Sequence, residues 1–191
     1  GPGGVGGRLR GRGACVEECL EVGRAGGSFH IGEAEVRAFR TLHDTDESVG
    51  YRIEAESSFG LGTDLGCRTD EVLEAMSGVE LAVIESNYDE RMLCDGPYPV
   101  YLKRRILSGH GHLSNDEAGK LAVHLARNGA QSLILGPLSR DNNRPELALN
   151  AVRTPPREAG DDRRLAPAPP LAVLGTAARC RLRGRRDGSQ S

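Results

Sequence analysis

Apolar and polar positions in the middle of this chain follow two rhythms. Ala34, Val36 and Ala38 alternate with Glu35, Arg37 and Phe39, the two-residue period of a strand, ending near Leu42. Val49, Tyr51, Ile53 and Ala55 repeat the alternation, and Phe59 to Thr63 makes a short third strand rich in Gly. Thr69 suits the cap of a helix running to about Ser77, with Gly78 as its stop. Leu81 to Ile84 is apolar without interruption, as in a buried strand. Ser114 and Glu117 then form a capping box. Behind it Ala118, Leu121, Ala122 and Leu125 fall on one helical face until Gly129. Ser132 to Leu135 is the next buried strand, and Pro145 opens a last helix reaching about Val152. Strands come first, then strands and helices alternate. That order predicts an α/β (α+β) fold, a sheet covered by helices on at least one side.

Both ends lose this rhythm. Residues 1–27 are rich in Gly and Arg, and Cys15 to Val22 supports a helical turn or two at most. Residues 153–191 are rich in Pro and Arg, with too little apolar surface to offset the entropy of ordering. The expected division is a disordered tail over 1–27, a folded unit over 28–152 and a second disordered tail over 153–191. The net charge of −2 gives no overall bias toward nucleic acid or membrane, although arginines gather after residue 153. Trp is absent and aromatics are few, so Leu, Val, Ile and Ala must build the core. No apolar run approaches the ~20 residues of a membrane span, and the first residues lack a secretory signal's apolar stretch. The five cysteines are irregularly spaced, which fits structural thiols in a reducing, cytoplasmic compartment.

Four polar clusters punctuate the middle region: Gly-Thr-Asp-Leu-Gly (62–66), Ile-Glu-Ser-Asn-Tyr-Asp (84–89), Gly-His-Gly-His-Leu-Ser-Asn (109–115) and Leu-Ser-Arg-Asp-Asn-Asn (138–143). Three follow predicted strands and one opens a helix, the rim where α/β proteins place ligands. Asp64 lies between two glycines; it either binds metal or caps a turn. His43 follows a strand and precedes Asp44, Asp46 and Glu47, as a metal ligand or as a solvated loop residue. Glu85 ends a buried strand and must be paired or functional, because a lone buried carboxylate is costly. His110 and His112 precede the capped helix, where an imidazole NH can face developing negative charge or simply turn the chain. His30 and His124 lack supporting neighbours.

Taken together, these residues resemble the C-terminal half of a metallo-β-lactamase-fold hydrolase, nearest the WalJ/YycJ-like branch, which is related to phosphodiesterases such as RNase Z. The resemblance rests on Leu-His-Asp (42–44), Val-Gly-Tyr-Arg-Ile (49–53), Thr-Asp-Leu-Gly (63–66), Glu-Ser-Asn-Tyr-Asp (85–89), Gly-Pro-Tyr-Pro (96–99), Gly-His-Leu-Ser-Asn (111–115), and Leu-Ser-Arg-Asp-Asn-Asn with Pro-Glu-Leu-Ala (138–148). It covers about two-thirds of the chain and leaves out both ends. It implies that His43 binds one metal, that Asp64 bridges two divalent ions (Zn or Mn), and that Glu85 and His112 assist proton transfer on a nucleic-acid phosphodiester. It also implies half of an αββα sandwich, with a mixed sheet, helices on one face and the other face uncovered, so that the chain is expected to be unstable alone, to self-associate through that face or to need a partner.

Two departures qualify the resemblance. The family's His-x-His-x-Asp-His motif is missing, and Pro137 stands where a last His ligand belongs. Two ligands, His43 and Asp64, fall short of the ~4 that zinc takes. The expectation is therefore a hydrolase fragment that is inactive as it stands. The alternatives are a non-catalytic remnant, a gene-model fragment whose Gly/Arg- and Pro/Arg-biased tails are read out of frame, or a nucleic-acid-binding module using the arginines of 179–186.

Overall fold

A computed structural model describes residues 25–43, 48–155 and 169–173. The turns expected over Cys15 to Val22, the arginines of 179–186, and the acids Asp44, Asp46 and Glu47 lie outside the described residues. Among the described residues seven strands form one mixed sheet, in the order in which they occur along the chain. They are β1 (Ser28–Ile31), β2 (Ala34–Thr41), β3 (Ser48–Glu54), β4 (Ser58–Gly62), β5 (Leu81–Ile84), β6 (Ser132–Leu135) and β7 (Leu171–Val173). The first four form an antiparallel meander. The pairs β4–β5, β5–β6 and β6–β7 are parallel.

Helices lie in the crossovers: α1 (Asp70–Met76), α2 (Glu90–Asp95), α3 (Val100–Arg105), α4 (Asn115–Arg127) and α5 (Pro145–Arg153). A π-type turn over Ile106–His110 continues α3. Parallel strands laid down in one direction, joined by right-handed crossovers, place their helices on one face. The core agrees with this. Val72 and Met76 of α1, Leu121 and Leu125 of α4, and Ala148 and Val152 of α5 pack with Phe39, Ala82, Ile84, Leu133 and Leu135. Close approach is built in at two glycines. A side chain on Gly50 would fall 2.2 Å from the Phe39 ring, and one on Gly119 of α4 would fall 2.5 Å from the Ala151 carbonyl of α5.

Register assigns the other face to Val36, Tyr51, Ile53, Phe59, Leu61, Leu81, Val83 and Ile134. Most of these are only half-buried, and the helices of the core pack on the opposite side.

The caps form as their sequences dictate. Thr69 accepts from the Val72 amide and Ser114 from that of Glu117. One difference from expectation falls in the C-terminal stretch: Leu171–Val173 pairs with β6 as β7. Three apolar residues just after Pro170 are too few to show a period, and they find a strand edge with unpaired donors. No described helix is long and apolar enough to cross a membrane.

Candidate metal centre

The clusters meet at the carboxyl ends of β4 and β5, and backbone bonds hold them there. The Gly66 amide donates to the Leu42 carbonyl at 2.6 Å, and the Glu85 amide donates to Gly62 at 2.9 Å. These bonds tie the loops carrying His43, Asp64 and Glu85 to one another. The Asn87 amide reaches the Leu113 carbonyl at 2.9 Å, and that of Asn115 reaches Tyr88 at 2.8 Å, which brings in the His112 segment.

His43 follows β2 by two residues. Its Nδ1 lies 2.6 Å from the Gly111 carbonyl. A carbonyl only accepts, so Nδ1 carries the proton and Nε2 keeps its lone pair. That Nε2 is 3.9 Å from Asp64 Oδ1. Asp64 has φ +53°, alone among the described non-glycine residues in being left-handed. Strain of this kind gathers at functional positions. Half of the Asp64 side chain is open to solvent.

Glu85 is fully buried. Its Oε2 accepts from the Leu65 amide at 2.7 Å and the Leu113 amide at 3.3 Å. Its Oε1 accepts from Asn87 Nδ2 at 3.1 Å and His112 Nδ1 at 2.7 Å. Four donors offset the cost of removing this carboxylate from water. Glu85 thus holds the His112 ring through Nδ1. The two imidazole rings lie 5.1 Å apart.

The fold gathers His43, Asp64, Glu85 and His112, all four marked by the motifs, into one cluster. His124 instead bonds Ser77 Oγ at 2.9 Å, away from it. What the sequence did not reveal is a buried clamp behind the cluster. Ser86 Oγ donates to Asn115 Oδ1 at 2.6 Å, and Asn115 and Asn143 bond side chain to side chain at 2.9 Å. Asn143 Nδ2 also reaches the Ser86 carbonyl at 2.7 Å. These three residues lock three clusters together. Their signal was present in the motifs, as amides and hydroxyls at successive strand ends. Between them, burial pushes the Tyr88 phenol up to about 12, with Glu90, Glu117 and Glu85 adding to the effect.

Whether these residues suit a metal can be judged from their donors. His43, Asp64 and His112 each offer one ligand atom, all within 4.8 Å of one another. Ligands of a tetrahedral zinc stand roughly 3.4 Å apart, given bonds near 2.1 Å. The 3.9 Å between His43 and Asp64 needs only a small closure. His43 Nε2 and Asp64 Oδ1 therefore fit one ion, while the His112 atom 3.9 Å from Asp64 is Nδ1, which already bonds Glu85. These donors do not fit two, because no second group of three donors occurs among the described residues. Pro137, exposed at the end of β6, has no donor to add.

A sequence profile for the Beta-lactamase superfamily domain matches residues 4–135. It takes in residues 4–27, which the motif reading had left outside the resemblance. Exodeoxyribonuclease YycJ of Bacillus anthracis is 35% identical over 131 residues, 68% of this chain and 50% of that protein. Exodeoxyribonuclease WalJ of Streptococcus pneumoniae is 35% identical over 119 residues, 62% of this chain and 44% of that protein. The chain thus spans about half the length of these relatives. Among solved structures, the metallo-beta-lactamase fold protein YhfI from Bacillus subtilis aligns with a TM-score of 0.56 at 14% identity, covering 81% of this chain and 52% of that one. Zn(2+)-bound PqqB from Methylobacterium extorquens aligns with a TM-score of 0.51 at 13% identity, covering 78% and 51%. These two likenesses concern the fold.

Proposed function

The chain belongs to the beta-lactamase superfamily, and from that membership we propose a metal-dependent hydrolase half-site built for DNA phosphodiesters and incomplete in this polypeptide. The observation that carries the reading is the fully buried Glu85 bonded to His112 beside the His43–Asp64 pair. A bound divalent ion would supply positive charge to polarise a phosphoryl oxygen. His43 Nε2 and Asp64 Oδ1 would hold it. Glu85 holds His112 in place through Nδ1, and the imidazole carries the proton exchanged with the departing oxygen. The relatives named as exodeoxyribonucleases supply the substrate class.

Among the described residues the donors suffice for one ion, loosely held when His112 is reserved for the proton. Metal analysis after equilibration with zinc or manganese tests the reading, alongside release of nucleotides from linear DNA. At most one ion per chain and no turnover are expected. Two tightly held ions with DNA hydrolysis would show the site to be complete. No ion at all, with unchanged content in His43→Ala, would remove the metal reading.

We further propose that the apolar sheet face is covered by a second copy of this chain. The half-buried Tyr51, Ile53, Phe59 and Leu61 support this.

A further inference from the structure

The segment leading into the metal cluster has an unusual make-up. From Val100 to Gly109, through α3 and its π-type turn, no described side chain is buried. Helices are normally held by an apolar face packed on a core. Here Val100, Tyr101 and Leu107 are exposed, while Leu102 and Ile106 are half-buried. Tyr101 is 74% exposed, Val100 64% and Leu107 44%. They flank the block Lys103, Arg104 and Arg105, and no acidic residue occurs between Gly96 and Asn115. In a chain of net charge −2, this is a run of three cations with an exposed aromatic ring two residues before it.

Its position links it to the chemistry. Ile106 backs directly on Gly111, since a side chain there would lie 3.1 Å from the Ile106 Cα. The Gly111 carbonyl in turn receives His43 Nδ1. The exposed helix therefore ends on the residue that orients a candidate metal ligand.

We propose that α3 and its π-type turn form the landing surface for a single DNA strand whose end is presented to His43, Asp64 and His112. This rests on the reading of DNA as the substrate. Arg104 and Arg105 face the phosphates. Lys103, tied to the Cys94 carbonyl at 2.6 Å, contributes charge from a fixed position. Tyr101 stacks on a base. A paired duplex would hide its base faces from Tyr101, so the surface suits single strands.

The test is fluorescence anisotropy of a fluorescein-labelled oligothymidine strand with the full chain, over a series of salt concentrations. Tyr101→Ala is expected to weaken binding about tenfold, within the range for loss of one base stack. Arg104→Ser with Arg105→Ser should flatten the salt dependence by about 1.4 in logarithmic slope, at roughly 0.7 per lost phosphate contact. Arg37→Ser, on β2 and paired with Glu35, should change neither. A labelled duplex should bind less tightly and ignore Tyr101→Ala. Because no side chain of α3 is buried, circular dichroism of both variants should match the parent. If the parent binds and the variants bind equally well, the landing surface is wrong and the substrate reading stands. If the parent binds no DNA, both fail.

Discussion

Glu85 shows how far one side chain can be read without coordinates. The sequence places a carboxylate at the end of an apolar strand, and physics then demands a partner. What it does not supply is the partner's identity, because Leu65, Asn87 and His112 converge only through the crossover connections. Glu85→Gln keeps the shape and removes the charge. His112 Nδ1 loses its charge-assisted acceptor, and one buried amide donor is left facing another. A loss of about 3 kcal/mol in urea unfolding is expected, as for breaking a buried hydrogen-bonded charge. A change below about 0.5 kcal/mol would mean that Glu85 is not the anchor described. Asp64→Asn tests a different property at the same scale. Asn tolerates the left-handed backbone at φ +53° nearly as well as Asp. Stability should be unchanged within about 0.5 kcal/mol, while metal uptake falls at least tenfold by isothermal titration. Equal losses of both would assign Asp64 to the fold instead.

At the scale of elements, legibility followed burial. α4 was evident because its apolar face and capping box agree, and both form. α2 was missed because Leu93 is its only buried residue, and α3 because it has none. Without a buried stripe there is no period to detect. β1 and β7 were missed because three or four residues cannot display alternation. Glu117 allows a direct check on how α4 is held. Burial pushes its carboxyl up, but hydrogen bonds from Lys120 and Arg68 outweigh this and leave it below its usual 4.5. A lowered carboxyl pKa contributes stability above the ordinary value and loses it as pH falls through the folded one. Glu117→Gln should therefore unfold at lower urea than the parent at pH 7, and the gap should close progressively below about pH 4.5. A gap that persists unchanged at pH 3 would show that charge has no part in it.

For the whole molecule, the alternation in β2 to β4 marked the strands but not what lies on their two faces. That depends on crossover handedness, which sets α1, α4 and α5 together. Seven strands at ~4.8 Å spacing and about five residues each give a face of roughly 500 Å², toward the upper end of the ~300–600 Å² of the largest apolar patch on a typical monomer. In sedimentation velocity the parent chain should grow heavier as concentration rises. Tyr51→Glu, which sets a charge in that face, should hold it at monomer mass. A parent that stays monomeric throughout would rule out a second copy as the cover. The sheet also has a direction in time. Each strand lies beside the one made just before it. As the chain leaves the ribosome, every arriving strand meets a free edge already in place, and none must be threaded between two earlier neighbours.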